Sequence, residues 1–126
     1  MVKKINVLSP KFRVDEVLSE IKDCLTMGWT GMGYKTVEFE EDWSNYTELK
    51  NSHFISSATA GLHLAIRTLS HFGNWSKGDE VITTPLTFVS TNHAILYENL
   101  TPVFADVDEY LCINPKSIEK LITSKT

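Results

Sequence analysis

Apolar residues recur every three or four positions in two stretches near the start of the chain. The first stretch runs from Pro10 to about Met27 and carries Val14, Val17, Leu18, Ile21 and Leu25. The second runs from about Tyr34 to Tyr46 and carries Val37, Phe39, Trp43 and Tyr46. Because this spacing gathers apolar side chains on one face of a helix, it predicts two amphipathic helices. Pro10 suits a first helical turn, and Gly28 suits a helix end.

The pattern changes after about Asn51, where short β-branched runs alternate with stretches of helical spacing. We predict strands at residues 53–56, 80–84 and 102–106, helices at residues 59–72 and 87–98, and a last helix opening at Asn114-Pro115. Alternating strands and helices indicate an α/β fold with a parallel sheet. Three parallel strands alone leave edges and faces uncovered. The sequence therefore predicts a helical segment at residues 1–50 and an incomplete α/β domain at residues 51–126.

Composition and charge argue against several classes of function. The 126 residues are 42% hydrophobic and 22% charged, and the net charge is −4 with both signs mixed along the chain. Without a basic stripe we expect no nucleic-acid binding, and without a long apolar run we expect no membrane span. The start lacks the apolar run of a secretory signal, so we expect a cytoplasmic protein. Two distant cysteines and four scattered histidines predict no metal site.

The segment from His53 to Ala65 is the first candidate for chemistry. It has the pattern of a strand, then small polar residues, then a helix. Such a turn directs backbone N–H groups and the positive end of the helix dipole at one point. Small side chains at Ser57 and Ala58 let a phosphate approach, and Thr59 adds a hydroxyl. The alternative interpretation is that this Ser-x-Thr pattern only caps the helix.

Phe88 is the second candidate, because it follows the predicted strand 80–84 at the carboxyl edge of the sheet. An aromatic ring there can stack on a flat ligand, or it can belong to the core. Asp106 and Asp108 flank the end of the next predicted strand, where carboxylates often act in α/β proteins. Acidic residues are also common turn formers, which is the alternative for both.

Taken together, these segments resemble the DegT/DnrJ/StrS family of sugar aminotransferases. The resemblance runs from Gly28 to the end of the chain and rests on the blocks GWTG, SSATAGLHLA, KGDEVITTPLTFVSTNHAIL, TPVFADVD and NPKSIEKLIT. It implies part of the large domain of a fold-type-I transferase dependent on pyridoxal 5'-phosphate (PLP), preceded by two helices. It also implies a homodimer that aminates nucleotide-linked keto sugars for cell-surface polysaccharide, with glutamate as amino donor.

The resemblance also implies roles for particular residues. The cofactor-binding positions of the family are matched by Ser57, Ala58, Thr59 and Phe88. A loop near the family's substrate channel is matched by Thr30 and Gly31.

The catalytic lysine and the aspartate on the pyridine nitrogen belong to family segments beyond Thr126. Lys35, Lys50 and Lys77 fall outside the family's lysine motif. We therefore expect no catalytic residue in this chain and no activity from it alone.

Two alternatives stay open at this point. The chain can be part of a related PLP-dependent sugar dehydratase, in which a histidine replaces the lysine. It can also be a non-catalytic remnant or an interaction module. The residues that would distinguish these alternatives are not among the 126.

Overall fold

The computed structural model describes residues 6, 8–29 and 31–126, which form two compact units with a boundary between Phe54 and Ile55. Among these residues, the first unit contains two helices, α1 (Val14–Thr26) and α2 (Tyr34–Thr47). The second unit contains, in order, α3 (Ala58–Gly73), β1 (Glu80–Thr83), α4 (Val89–Tyr97), β2 (Thr101–Phe104) and α5 (Pro115–Leu121). The predicted fold class, a partial α/β domain preceded by two helices, is confirmed.

Helix α1 ends where the sequence predicts and begins later. Gly28 has a φ of +72°, and the N–H of Trp29 donates to the carbonyl of Cys24 over 3.1 Å. These are features of a Schellman motif, which needs a left-handed residue after the helix. The predicted start at Pro10 is wrong, because α1 begins at Val14. The acidic residues at positions 15 and 16 then lie in the first turn, where the helix dipole favours them.

The apolar side chains of α1 and α2 are largely exposed in the described structure. No side chain of α1 or α2 is buried, and Val17 and Trp43 are 45% and 48% exposed. Polar contacts join the two helices instead, including an ion pair of 2.6 Å between Lys35 Nζ and Glu20 Oε2. Exposed ion pairs contribute little to stability. The amphipathic pattern is therefore present, but its apolar side chains stay about half exposed in the described structure.

In the second unit, β1 and β2 form a parallel pair with Glu80 opposite Thr101 and Thr83 opposite Phe104. Helix α4 connects them, and α3 leads into β1 through a turn at Asn74, whose φ is +53°. The predicted strand at residues 53–56 is absent from the described structure, so the sheet has two strands there rather than three. A strand requires a hydrogen-bonded neighbour, and the N–H of Phe54 donates to Glu40 Oε1 instead.

The buried residues of the described structure lie around α4 and β2. The apolar ones are Ala94, Ile95, Leu100 and Ala105, of which Ile95 and Leu100 have the largest side chains. Leu100 follows Asn99, whose φ of +58° closes α4, and its N–H donates to the carbonyl of Ile95 over 3.2 Å. This turn brings the chain from α4 into β2.

No described helix is both long enough and apolar enough to cross a membrane.

Candidate functional site

The predicted phosphate-binding residues lie at the start of α3. Ser57 is the N-cap, and its Oγ accepts a hydrogen bond of 3.2 Å from the N–H of Ala60. The alternative in which the Ser-x-Thr pattern caps the helix is therefore borne out for Ser57, whereas Thr59 lies inside the first turn. Within the described part of the chain, the N–H groups of Ala58 and Thr59 donate to no other residue. A helix N-terminus with unsatisfied N–H groups and small side chains suits a phosphate.

Phe88 lies at the start of the next helix, five residues after the last residue of β1. It is the N-cap position of α4 and is 76% exposed. Among the described residues, Phe88 is therefore not part of the buried core. Phe88 follows the carboxyl end of β1 in the chain, and most of its surface is exposed.

Asn92 joins the end of β1 to the first turns of α4. Its Oδ1 accepts a hydrogen bond of 2.8 Å from the Thr83 hydroxyl, and its Nδ2 donates to the carbonyl of Thr84 over 3.3 Å. Thr83 is buried, with 8% of its surface exposed. Asn92 is not among the residues that the sequence predicts for the site. No signal in the sequence distinguishes it, because Asn92 lies within the polar run from Ser90 to His93.

The predicted substrate loop connects α1 and α2. Thr30 lies outside the described residues, and Gly31 is exposed in a bend. Two neighbouring positions require glycine for steric reasons. Gly28 has a positive φ, and a Cβ at Gly33 would collide with the indole ring of Trp29. A Cβ at Gly31 would meet no atom of the described residues within 4 Å. Packing against the described part of the chain therefore gives no reason for glycine at position 31.

The environment of Lys35 fits a structural role. Its Nζ contacts Glu20 over 2.6 Å and Glu38 over 2.8 Å. Hydrogen bonds to Glu20 and then Glu38 raise the pKa of Lys35 above its ordinary value of 10.5. A nucleophilic lysine needs a lowered pKa, so this environment opposes such a role.

Asp106 and Asp108 form turns after β2. Asp106 Oδ1 accepts from the N–H of Val107 over 2.8 Å. Asp108 Oδ1 accepts from the N–H groups of Tyr110 and Cys112 over 2.9 and 3.0 Å. The alternative in which both residues act as turn formers is supported by these bonds. Over the described ranges, no cluster of three His, Cys, Asp or Glu side chains is arranged to hold a metal ion.

A second polar cluster, also missed by the sequence analysis, joins α3 to the end of α4. Glu98 lies 2.7 Å from His63 Nε2 and 2.9 Å from Arg67 Nη1, and its side chain is 8% exposed. Burial alone would raise the pKa of Glu98, but the hydrogen bonds from His63 and Arg67 lower it by more. The pKa of Glu98 is therefore below its ordinary value of 4.5. No spacing rule connects residues 35 positions apart, so the sequence carried no signal for this cluster.

Comparisons with known proteins agree on one family. Residues 13–126 match the DegT/DnrJ/EryC1/StrS aminotransferase family. Protein MJ1066 of Methanocaldococcus jannaschii, whose role is uncharacterized, is 42% identical over 121 residues, which are 93% of this chain and 30% of that protein. Spore coat polysaccharide biosynthesis protein SpsC of Bacillus subtilis is 38% identical over 112 residues, which are 88% of this chain and 28% of SpsC.

Solved structures share the fold. Spr1654 of Streptococcus pneumoniae, in its PLP form, superposes with a TM-score of 0.85 at 32% identity, covering 98% of this chain and 31% of that one. GDP-4-keto-6-deoxy-D-mannose-3-dehydratase of Escherichia coli superposes with a TM-score of 0.84 at 23% identity. At that identity the second likeness concerns the fold alone. The fold therefore does not separate an aminotransferase from a dehydratase.

The chain spans about 30% of the length of the relatives that it matches. Within that span the agreement covers both units, and it begins at residue 13, earlier than the predicted start at Gly28. Sequence identity and fold similarity point the same way. The chain therefore belongs to the DegT/DnrJ/EryC1/StrS aminotransferase family.

Proposed function

We propose that this chain supplies the phosphate-binding turn and the ring-stacking aromatic of a PLP-dependent aminotransferase. The observation that carries the proposal is the start of α3, where the N–H groups of Ala58 and Thr59 have no acceptor among the described residues. α3 is 16 residues long, so its dipole adds a positive potential at this end. The PLP form of Spr1654 supports the choice of cofactor.

The helix contacts support a position of Phe88 near this turn. Because α4 connects two parallel strands, it runs opposite to them, and α3 leads into the amino end of β1. Glu98 at the end of α4 contacts His63 and Arg67 in α3. At the rise of an α-helix, Phe88 is about 15 Å from this contact toward the start of α4. Thr59 is about 6–12 Å from the same contact toward the start of α3. Both helix starts are then expected at the carboxyl end of the sheet.

These residues would hold the cofactor in a defined orientation. The N–H groups of Ala58 and Thr59, with the Thr59 hydroxyl, would bind the phosphate. Phe88 would stack on the pyridine ring and exclude water from one of its faces. The cofactor, when bound, supplies the aldehyde and the electron-withdrawing ring through which an amino group is exchanged. The family's catalytic lysine and its pyridine-binding aspartate are not assigned to any residue of this chain.

Substrate and assembly follow from the same proposal. The substrate would be a nucleotide-linked keto sugar, the amino donor glutamate, and the product an amino sugar for cell-surface polysaccharide. The name of SpsC, a spore coat polysaccharide biosynthesis protein, supports this choice. Gly31, with Thr30 beside it, would belong to the substrate loop, since packing against the described residues gives no other reason for that glycine. The protein would act as a homodimer in the cytoplasm.

The test uses the protein expressed from the complete coding region that contains these residues. Purified protein should bind PLP, measured by cofactor absorbance and fluorescence, and should transfer an amino group from glutamate to a nucleotide-linked keto sugar. Phe88→Ala should raise the PLP dissociation constant about two- to twelve-fold. Phe72→Ala is the matched control, because Phe72 is also exposed, at 78%, but lies at the opposite end of α3. Equal effects of the two variants, or no PLP binding, would contradict the proposal.

The dehydratase alternative predicts a different product from the same assay. A dehydratase would release a sugar hydroxyl as water, with the two electrons supplied by the amino donor, and would leave no amino group on the sugar, whereas an aminotransferase would replace the keto oxygen of the sugar with an amino group. A non-catalytic module would do neither. Mass spectrometry of the sugar product therefore separates the three interpretations.

A further inference from the structure

The loop that carries Phe88 is held by side-chain hydrogen bonds at one end. It leaves β1 at Thr83, and it enters α4 at Val89. Asn92 bonds to both residues at the beginning of this loop, accepting from the Thr83 hydroxyl over 2.8 Å and donating to the Thr84 carbonyl over 3.3 Å. Phe88 lies four residues before Asn92, one turn of helix away.

The two bonds of Asn92 use both polar groups of its side chain. The carbonyl oxygen accepts from the Thr83 hydroxyl, and the amide nitrogen donates to the Thr84 carbonyl, so the side chain is tied to the loop at two points. Thr83 is 8% exposed, which shields its hydroxyl bond from water. By contrast, the Phe88 ring is 76% exposed and has no comparable packing of its own.

We propose that Asn92 is a positioning residue that holds Phe88 against the cofactor ring. This inference rests on the proposed function, because it needs Phe88 to contact PLP. Asn92 fixes the distance between the end of β1 and the first turns of α4, and thereby fixes the backbone from which the Phe88 ring projects. Without Asn92 the loop from Thr84 to Phe88 gains freedom, and part of the stacking contact is lost. Asn92 then acts on the cofactor only through Phe88.

The experiment is a double-mutant cycle on the PLP dissociation constant of the protein expressed from the complete coding region. Asn92→Ala should raise the constant several-fold when Phe88 is present. In the Phe88→Ala background it should change the constant by less than about twofold, because coupled residues give non-additive effects. His93→Ala is the control, since His93 is the exposed neighbour in the same helix and should leave the constant unchanged.

Conservative variants separate positioning from general stability. Thr83→Ser keeps the hydroxyl donor and should retain PLP affinity, whereas Thr83→Val removes it and should reproduce part of the Asn92→Ala loss. Thermal unfolding of each apo-protein identifies any variant that weakens the fold itself. A loss of affinity that tracks only the melting temperature would overturn the inference.

The remaining outcomes are also decisive. If Asn92→Ala weakens PLP binding equally with and without Phe88, Asn92 acts independently of the ring and the inference is wrong. If Phe88→Ala weakens binding but Asn92→Ala does not, the inference fails while the proposed function stands. If Phe88→Ala has no effect, the stacking role fails, and the inference fails with it.

Discussion

Glu98 and His63 contact each other over 2.7 Å although they are 35 positions apart in the chain. Arg67, one helical turn after His63, reaches the same carboxylate over 2.9 Å. The carboxylate is nearly buried, with 8% of its side chain exposed, so it depends on these two partners. The cluster joins α3 to the end of α4 and thereby sets the relation between the two helices that carry the predicted cofactor residues.

Replacing Glu98 with Gln should lower the melting temperature and flatten its dependence on acid pH. The pKa of Glu98 is below its ordinary value of 4.5 in the folded protein. Its stabilising contribution is therefore present above pH 4.5 and is lost as the pH falls through the folded-state pKa. Thermal unfolding of both proteins between pH 3 and pH 7 provides the measurement. Parallel curves across this range would show that the carboxylate does not supply the pH dependence.

Ser57 and Thr59 should respond differently to replacement by alanine. Ser57→Ala removes the cap on Ala60 and should cost about 0.5–2 kcal/mol of stability. Thr59→Ala should leave the apo-protein nearly as stable and should weaken PLP binding by roughly 1.5–3 kcal/mol, since it removes a hydrogen bond to a charged phosphate. Thr59→Ala should therefore be more damaging to PLP binding than Phe88→Ala.

Melting curves of the apo-proteins and PLP titrations measure the two effects separately. Thr59→Ser is the matched control, because it keeps the hydroxyl and should retain most of the affinity for PLP. If Thr59→Ala destabilises the apo-protein and leaves PLP affinity unchanged, the phosphate-binding role is wrong.

Ile95 should be the most sensitive apolar position of the second unit. It is 2% exposed and is the largest fully buried side chain in the described structure. Ile95→Ala should cost about 2–5 kcal/mol, from lost burial and from the cavity left behind. Leu96→Ala is the control, because Leu96 is 52% exposed in the same helix and should cost much less. Urea unfolding gives both values, and comparable losses would show that the core lies elsewhere.

A polypeptide of these 126 residues alone should show no transaminase activity. None of Lys35, Lys50 and Lys77 matches the family's catalytic lysine, and Lys35 is held in two ion pairs. The assay supplies PLP, glutamate and a nucleotide-linked 4-keto sugar and measures 2-oxoglutarate. The protein expressed from the complete coding region is the positive control. Turnover above background by the shorter polypeptide would refute the prediction and would require a lysine of this chain to act.

The sequence by itself predicted the features that depend on residues close to one another in the chain. The helices of the first unit follow from apolar spacing, and the end of α1 follows from Gly28, because both depend on residues within a few positions of each other. The start of α3 was also predicted to within one residue from a short polar motif. Family membership followed from several such motifs in a consistent order.

Tertiary structure decided the features that depend on distant partners. Residues 53–56 have the composition of a strand, but they form none in the described structure. A strand needs a hydrogen-bonded neighbouring strand, and no described residue supplies one. Asn92 and Glu98 acquire their roles from Thr83 and His63, which folding brings near them and which no sequence spacing connects. The exposure of Phe88 was likewise undecided until its backbone was placed, since an aromatic residue after a strand can face either the core or a ligand.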